Sequence, residues 1–299
     1  PYEPRSADAE DSDESGELDE RDRRLLTVVQ RDFPLCRRPF DELDRREGWP
    51  EGESLERFRR LRRADYIRRL GAIFDSRRLG YVSTLVAARI PEERLREVAD
   101  MVSELPGVTH NYRRDHDYNL WFTLRERSED RIEERIQGLR ERTGIDDFHS
   151  LPALAVYNRS VTFDLTGGEN SPDSDEPDER LSEAVSLDEE DKKLVQAVQA
   201  GLSVEEEPYA ALAEELDRPL DDVLDRLQEW LESGVIRRMG AIANHRKLGY
   251  DANGMAVFRV SEERADELGP RLASQPQVTH CYRRPPLPDW NYTLFAMIH

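Results

Sequence analysis

The sequence predicts an α+β fold made by tandem duplication, in which each half is a winged helix-turn-helix domain followed by a ferredoxin-like βαββαβ domain. The first observation is an internal match. Residues 67–81 (IRRLGAIFDSRRLGY) and 236–250 (IRRMGAIANHRKLGY) agree at 10 of 15 positions, and PGVTHNYRR at 106–114 and PQVTHCYRR at 276–284 agree at 7 of 9. The second is that three short helical patterns precede each first motif and strand-like alternation follows it. A repeat distance near 170 residues is too long for a solenoid and indicates a duplicated domain pair.

Helix signals are clearest in the second half. Residues 187–199 carry an apolar face with acidic residues at the start, and residues 209–217 form a second helical pattern. A third helix is predicted between Pro219, which suits a helix start, and Gly234, which suits a helix end. The first half repeats these patterns more loosely at 20–32, 39–47 and 54–66.

The segments after the first motif predict the ferredoxin-like domains. In the first half they read strand, helix, strand, strand, helix, strand, at 81–90, 91–105, 108–114, 118–126, 128–144 and 146–161. In the second half they read strand, helix, strand, strand, at 251–260, 261–274, 278–284 and 291–299. The second domain is therefore expected to be incomplete at its C-terminal side, without a last helix and strand.

Two acidic stretches without an apolar period divide the chain. Residues 1–16 are predicted to be a tail, and residues 166–186 to be the linker between the halves. The winged helix-turn-helix domains are predicted at 17–74 and 187–243. The ferredoxin-like domains are predicted at 75–165 and 244–299. A linker of this length lets the halves pack on each other as a pseudo-dimer, and further pairing into a homodimer is left open.

Composition narrows the class of protein. The 299 residues carry a formal net charge of −20, with 36% charged and 37% hydrophobic residues. This charge disfavours a general nucleic-acid binder, and no stretch has the roughly 20 apolar residues of a membrane span. Cys36 and Cys281 lie in different halves without metal-type spacing. We therefore expect a reduced, cytoplasmic protein with no membrane partner.

Two families resemble this sequence. The architecture resembles the Lrp/AsnC transcription regulators, whose small domains bind amino acids between subunits. The strings GAIANHRKLGY at 240–250 and VTHCYRRPPLPDWNY at 278–292 are more specific, and with them nearly the whole chain resembles sirohaem (siroheme) decarboxylase of the fused two-subunit type. That resemblance implies removal of carbon dioxide from two acetate side chains of sirohaem, giving 12,18-didecarboxysirohaem for haem d1 or alternative haem synthesis. It implies no cofactor beyond the iron tetrapyrrole substrate.

Basic and aromatic residues are concentrated in the repeated motifs, although the chain as a whole is acidic. Arginine and aromatic side chains suit a flat, apolar macrocycle ringed by carboxylates. The predicted substrate-binding residues of the second half are Arg237, Arg238, Arg246, Lys247, Tyr250, Tyr282, Arg283, Arg284 and Trp290. Those of the first half are His110, Arg113, Arg114 and His116. Cys281 alternates with its neighbours in a strand, so it is predicted to face the core.

His245 and His280 are the candidate catalytic residues. Decarboxylation leaves electrons that require a proton, and histidine is suited to supply it near neutral pH. His280 has a counterpart in His110, whereas Ser76 stands in the position of His245. This asymmetry predicts that the second half holds the competent pocket. No metal site is predicted from the protein alone, although His245 or His280 is also suited to be an axial ligand of the substrate iron.

Other interpretations of these residues stay open. A strand histidine is often a satisfied structural residue, and paired arginines are often solvated strand ends. A DNA-binding regulator of the Lrp/AsnC type requires a basic third helix. The predicted third helix of the second half, residues 219–232, is acidic, although that of the first half, residues 54–66, is basic. Because the acidic helix would repel the phosphate backbone, DNA binding is disfavoured. A haem carrier or sensor without turnover has the same binding features as the enzyme.

Overall fold

The computed structural model describes residues 18–159, 165, 184–250 and 254–298. These residues form two helix-turn-helix units, a two-stranded ribbon and two four-stranded sheets. The predicted tail at 1–16 and most of the predicted linker at 166–186 lie outside them. The predicted tandem α+β fold is confirmed, with differences at the wing strands and at the end of the first half.

The elements follow one order in both halves. Those of the first half are α1 (Glu20–Arg31), α2 (Pro39–Glu47), α3 (Glu53–Arg63), β1 (Ile67–Phe74), β2 (Val82–Ala88), α4 (Leu95–Ser103), β3 (Val108–Arg113), β4 (Leu120–Glu126), α5 (Glu129–Thr143), β5 (Phe148–Pro152) and β6 (Ala155–Asn158). Those of the second half are α6 (Glu189–Ala200), α7 (Pro208–Glu215), α8 (Leu220–Glu232), β7 (Ile236–Ala243), β8 (Gly254–Phe258), α9 (Glu262–Ala273), β9 (Val278–Arg283) and β10 (Leu294–Ile298).

Helix ends follow the local chemistry of the sequence. The Asp188 side chain caps α6 by accepting a hydrogen bond of 2.8 Å from the backbone N–H of Asp191. This bond satisfies an amide that has no partner inside the helix. Pro219 precedes α8, and Gly234 follows it with a φ of 75°, which a glycine adopts at little cost.

The strand after each third helix does not form a wing of its own. Instead β1 and β7 pair with each other as an antiparallel ribbon, in which Gly71 lies opposite Gly240. The expectation of a separate wing in each half is therefore corrected. The two copies of the motif lie side by side, so each supplies the hydrogen-bonding partner that a hairpin would otherwise supply.

Close approach of a helix explains the glycine in each copy of the motif. A Cβ atom on Gly71 would lie 2.4 Å from the carbonyl oxygen of Val198 in α6. A Cβ atom on Gly240 would lie 2.7 Å from the carbonyl oxygen of Gln30 in α1. Each first helix thus packs on the ribbon strand of the other half, and the two helix-turn-helix units share one hydrophobic core.

The two ferredoxin-like sheets differ in how they are completed. The first has the strand order β3-β4-β2-β5 and is antiparallel throughout. The second has the order β6-β9-β10-β8, so its first strand comes from the first half. Helices α4 and α5 cover one face of the first sheet, and α9 covers one face of the second.

The last strand predicted for the first half, residues 146–161, is two strands in the structure. The chain breaks after Pro152, which has no N–H to continue a ladder, and β6 crosses to the edge of β9. There the ring of Tyr157 packs over Gly269, so that a Cβ atom on Gly269 would lie 2.4 Å from the nearest ring carbons of Tyr157. Asn158 donates a hydrogen bond of 2.8 Å to the carbonyl oxygen of Val278. The end of the predicted domain 75–165 therefore belongs to the sheet of the second half.

The helix-free faces of the two sheets pack against each other through aromatic side chains. Trp121 of β4 lies 6.4 Å from Phe295 of β10, measured between ring centroids. Trp290 lies 5.4 Å from Trp121 and 5.8 Å from Phe295. The two halves therefore form the predicted pseudo-dimer, with contacts in both the ribbon and the sheets.

In the part of the chain that the structure describes, none of the helices is both long and apolar enough to cross a bilayer.

Candidate active site

Each end of the β1–β7 ribbon is formed by both halves. At one end the backbone N–H of Asp75 donates to the carbonyl oxygen of Val235 over 2.9 Å. At the other end the N–H of Asn244 donates to the carbonyl oxygen of Tyr66 over 2.9 Å. The chain then turns at Ser76 and at His245 respectively. We call the first of these the Ser76 end of the ribbon and the second the His245 end.

Arginines of both halves gather at the Ser76 end, where Arg237 Nη1 lies 3.4 Å from the carbonyl oxygen of Arg159. Burial raises the pKa of the Tyr282 hydroxyl, and the positive charges of the arginines around it oppose that rise. These arginines are Arg284 and Arg237 of the second half and Arg159 and Arg77 of the first. A cluster of cations in a protein with a net charge of −20 marks a place suited to a polyanion.

Arg284 is the most enclosed member of this cluster. Its guanidinium carbon lies 4.8 Å from the centroid of the Tyr282 ring, and its Nη1 donates to the carbonyl oxygen of Leu151 over 2.5 Å. Its Nε is buried and has no hydrogen-bond partner among the described residues. Burial lowers the pKa of Arg284 to about 10, so the group stays charged at neutral pH. A buried cation with a remaining N–H is suited to bind a carboxylate.

The carboxylate of Asp75 lies among these cations. Asp75 accepts a bond of 2.6 Å from Nη2 of Arg159. Burial opposes ionisation of Asp75, but the charge of Arg159 and the backbone N–H of Arg77 hold the pKa of Asp75 below its usual value. The ion pair fixes Arg159 at the end of β6, next to the turn. Three further arginines of the cluster act on Tyr282 beside this ion pair.

The strand β9 presents a histidine, a tyrosine and an arginine on one face. His280, Tyr282 and Arg284 are two residues apart in turn, so they share the face opposite Cys281. The His280 ring lies 5.9 Å from the Tyr282 ring, and its Nδ1 lies 3.1 Å from Oγ1 of Thr279. Cys281 is fully buried, and burial raises the pKa of its thiol to about 12. The prediction that Cys281 faces the core is confirmed.

The strand β3 repeats this arrangement. The His110 and Tyr112 rings lie 5.9 Å apart, and the guanidinium carbon of Arg114 lies 4.8 Å from the Tyr112 centroid. His110 Nδ1 lies 3.1 Å from Oγ1 of Thr109. The side chain of His110 is exposed on its strand, and partial desolvation, followed by the charge of Arg125, lowers the pKa of its imidazole.

Arg113 and Arg283 lie on the opposite faces of these strands, towards the helices. Arg113 pairs with Glu92 over 2.5 Å, and Arg283 pairs with Glu262 and, over 3.5 Å, with Asp266. The structure therefore separates these two predicted substrate-binding residues from the histidine–tyrosine–arginine faces. Arg238 follows Arg237 in β7, opposite Ile73 of β1.

The His245 end has a comparable cationic setting. Burial, then the charges of Arg68 and Arg246, lower the pKa of His245. Arg68 donates a hydrogen bond of 3.2 Å to the side chain of the buried Asn244. The turn closes where the N–H of Tyr250 donates to the carbonyl oxygen of His245 over 3.0 Å. Arg246 and Lys247, both predicted substrate-binding residues, are exposed in this turn.

The structure does not bring His245 and His280 into one pocket. Arg237, which lies by Tyr282, and His245 are eight residues apart along the same strand, or about 26 Å at the rise of an extended chain. His280 is two residues from Tyr282. The expected single pocket within the second half is therefore corrected: each ribbon end combines a turn of one half with a ribbon strand of the other.

Trp290 and His116 lie in the contact between the two sheets. Their rings are 5.8 Å apart. Next to them Tyr118 donates a hydrogen bond of 2.7 Å to Asp289, which also pairs with Arg89 over 2.5 Å. These partners hold the pKa of Asp289 at about 2, and burial and Asp289 raise the pKa of Tyr118 to about 12. The segment 285–290 is thereby anchored on the sheet of the first half.

Three residues of the ribbon ends were not predicted from the sequence. Arg77 and Arg68 align in the repeat with Arg246 and Arg237, so projecting the predicted residues through the repeat would have found them. Arg159 had no comparable signal, because only the crossing of β6 brings it to Asp75. Within the described ranges, no group of three or more His, Cys, Asp or Glu side chains is arranged to hold a metal ion.

Comparisons with known proteins agree with this architecture. Residues 22–68 and 191–237 match the family model "Siroheme decarboxylase NirDL-like HTH domain", and residues 78–158 and 247–299 match "AsnC-like ligand binding domain". The chain is 35% identical over 277 residues to siroheme decarboxylase of Hydrogenobacter thermophilus, which covers 92% of this chain and 82% of that protein.

A half-length relative and a solved structure extend the comparison. The siroheme decarboxylase alpha subunit of Desulfovibrio desulfuricans is 44% identical over 147 residues, covering 49% of this chain and 84% of that subunit. The crystal structure of the siroheme decarboxylase NirDL in complex with an iron-uroporphyrin III analogue superposes with a TM-score of 0.71 at 33% identity. It covers 94% of this chain and 82% of that one. A separate subunit that matches one half is consistent with a fused gene.

Proposed function

The chain belongs to the sirohaem decarboxylase family and is a carboxy-lyase, and we propose that its substrate binds at the ends of the ribbon, between the two halves. The observation that carries this placement is a group of arginines from both halves. Arg237 Nη1 lies 3.4 Å from the carbonyl oxygen of Arg159, and the Arg284 guanidinium carbon lies 4.8 Å from the centroid of the Tyr282 ring. Sirohaem is a flat macrocycle fringed with carboxylates, and planar guanidinium groups pair with carboxylates in two parallel hydrogen bonds.

The aromatic residues beside the cations suit the faces of the macrocycle. Tyr282 and Phe295 are paired residues on neighbouring strands, and the Arg284 guanidinium lies 4.8 Å from the first ring and 6.0 Å from the second. The related NirDL structure holds an iron-uroporphyrin III analogue, a ligand with the same combination of flat ring and carboxylates. This likeness supports a tetrapyrrole as the substrate class for this chain.

The reaction requires a proton and no oxidant. The bond between the acetate methylene and its carboxyl carbon breaks, carbon dioxide leaves, and the electron pair left behind takes up a proton to give a methyl group. Two such events convert sirohaem into 12,18-didecarboxysirohaem, the product that we propose for this chain in haem d1 or alternative haem synthesis. An imidazole is suited to deliver each proton or to ligate the substrate iron. The iron macrocycle is the substrate, and we propose that no further cofactor takes part.

Incubation with sirohaem under anaerobic conditions tests this function. The mass of the recovered macrocycle is expected to fall by two carboxyl groups, each replaced by hydrogen. A haem carrier would return sirohaem of unchanged mass, and this outcome would contradict the proposed enzymatic function. Loss of a single group would show that the chain performs only half of the proposed reaction.

We propose that the helix-turn-helix units do not bind DNA. The third helix of the second half exposes Asp221, Asp222 and Asp225, which repel a phosphate backbone. In the third helix of the first half, Arg57 pairs with the buried Asp22 over 2.8 Å, and Arg60 pairs with the same carboxylate. The basic charge of that helix is therefore partly neutralised within the unit.

An electrophoretic shift with random duplex DNA at low salt is expected to show no retained complex. Low salt favours every phosphate contact, so even a non-specific binder would be retained there. Retention that is lost when the salt concentration is raised would contradict the prediction.

A further inference from the structure

Asp65 has an uncommon backbone conformation in the turn between α3 and β1. Its φ of 60° lies in the left-handed region, which residues other than glycine adopt at a steric cost. In the second half, Gly234 occupies the matching position, two residues before the repeated IRR, with a φ of 75°. Glycine adopts this conformation at little cost, so the turn by itself does not require an aspartate. The carboxylate of Asp65 is what distinguishes the first copy.

That carboxylate contacts the other half of the chain. Oδ2 of Asp65 accepts a hydrogen bond of 2.7 Å from Nδ2 of Asn244, the buried residue that precedes His245. Because the NH2 group of this amide is bound to Asp65, its oxygen faces the other way, where it accepts a bond of 3.2 Å from Nη2 of Arg68. The three side chains therefore form one chain of hydrogen bonds that joins β1 of the first half to the turn of the second.

The corresponding position at the Ser76 end has a carboxylate instead of an amide. Asp75 aligns with Asn244 in the repeat, and its ion pair of 2.6 Å with Arg159 neutralises the cation that it holds. At the His245 end the amide is neutral, and the carboxylate of Asp65 lies one hydrogen bond further from the guanidinium group. Arg68 is exposed, so its charge is available to an anion that enters from solvent.

The charge of Arg68 also acts on the His245 turn. Burial lowers the pKa of His245, and the charges of Arg68 and Arg246 lower it further. Arg68 belongs to β1 and Arg246 to the turn that follows β7, so each half supplies one of these cations. Arg68 is therefore a contribution of the first half to the cationic setting at this end.

We propose that Asp65 and Asn244 are positioning residues for the decarboxylation. Asp65 orients the amide of Asn244, and the amide holds the guanidinium group of Arg68 where it pairs with a carboxylate of the macrocycle. This inference rests on the proposed function, which places the substrate at the ends of the ribbon. An arginine that is already ordered loses less side-chain freedom when it binds. The strained backbone of Asp65 is retained because its carboxylate keeps this arginine in place.

Replacing Asp65 with glycine separates the carboxylate from the backbone turn. Glycine adopts the positive φ without strain but leaves the amide of Asn244 without its acceptor. The KM for sirohaem is expected to rise about two- to tenfold, the effect of losing one hydrogen bond, while kcat stays within about twofold. Asp65→Asn retains a carbonyl acceptor and tolerates the left-handed conformation, so it is expected to restore most of the KM. Initial rates of sirohaem decarboxylation measure both constants.

Asp217→Gly is the matched control. Asp217 also has a positive φ, 52°, in the turn between α7 and α8. In urea unfolding the midpoints of Asp217→Gly and Asp65→Gly are expected to change by the same small amount, since both substitutions remove the same backbone strain. Only Asp65→Gly is expected to raise the KM. An unchanged KM in Asp65→Gly would overturn the inference, because a purely structural aspartate would affect only the unfolding midpoint.

A double variant tests whether Asp65 acts through Arg68. Arg68→Met is expected to raise the KM roughly ten- to hundredfold, since the guanidinium group itself is lost. Asp65→Gly/Arg68→Met is expected to have the same KM as Arg68→Met, because removal of the arginine leaves the aspartate nothing to position. Additive effects would overturn the inference while the decarboxylase function stands. Unchanged sirohaem after incubation with the parent protein would instead overturn the proposed function.

Discussion

Replacing Gly71 with alanine is expected to lower the free energy of unfolding by about 3 kcal/mol, the upper range for forcing an extra carbon into a packed core. The added Cβ would lie 2.4 Å from the carbonyl oxygen of Val198. Because that atom belongs to the backbone of α6, it can move only if the helix moves away from the ribbon. Urea unfolding followed by circular dichroism measures the change.

Gly138→Ala is the control for this variant. Gly138 lies within α5, and a Cβ atom there would meet nothing within 4 Å. Alanine is a better helix former than glycine, so this variant is expected to be more stable by up to about 1 kcal/mol. Equal unfolding midpoints for Gly71→Ala and the parent would show that the helix and the ribbon do not pack as closely as the structure places them.

Replacing Arg284 with methionine is expected to weaken tetrapyrrole binding at the Ser76 end roughly ten- to hundredfold, since a hydrogen bond to a charged group contributes about 1.5–3 kcal/mol. Methionine retains much of the length and apolar contact of the arginine stem but cannot pair with a carboxylate. Titration with iron-uroporphyrin III is expected to give two equivalents per chain for the parent and one tight equivalent for the variant. The rate of sirohaem decarboxylation at low substrate concentration is expected to fall as well, because the substrate is proposed to bind at the ends of the ribbon.

Arg283→Met provides the matched control from the neighbouring position. Arg283 lies on the other face of β9 and pairs with Glu262 and Asp266 of α9. Ion pairs near the surface contribute about 0–1 kcal/mol, so both tight equivalents are expected to remain. Equal affinity for iron-uroporphyrin III in Arg284→Met and the parent would contradict the proposed substrate site at the Ser76 end.

The sequence predicted residues of the site but not how the two halves combine to form it. His245 and His280 were predicted to share a pocket because both belong to the second half of the chain. In the structure they lie by different ends of the ribbon. The physical reason is that β1 and β7 satisfy each other's backbone hydrogen bonds, so each turn projects towards the other half. No local pattern distinguishes a strand that pairs within its own domain from one that pairs with its repeat.

Arg159 illustrates the same limit. Its position depends on β6 leaving the first sheet at Pro152 and joining β9, and the strand pattern of residues 155–158 is compatible with either sheet. Cys281 is the opposite case. Alternation along a strand is a local property with a period of two residues, and it predicted the buried side of β9 without any knowledge of the partner strands.

The amino-acid sequence alone determined four features: the repeat, the helix and strand types, the cationic and aromatic motifs, and the buried side of Cys281. Each of these can be read from residues that lie close together in the chain. Which half supplies each side of a cleft was decided only by the tertiary structure. Hydrogen-bonding edges and helix-free sheet faces are satisfied between segments that lie about 170 residues apart, and among several chemically equivalent partners the packing of the whole molecule selects one.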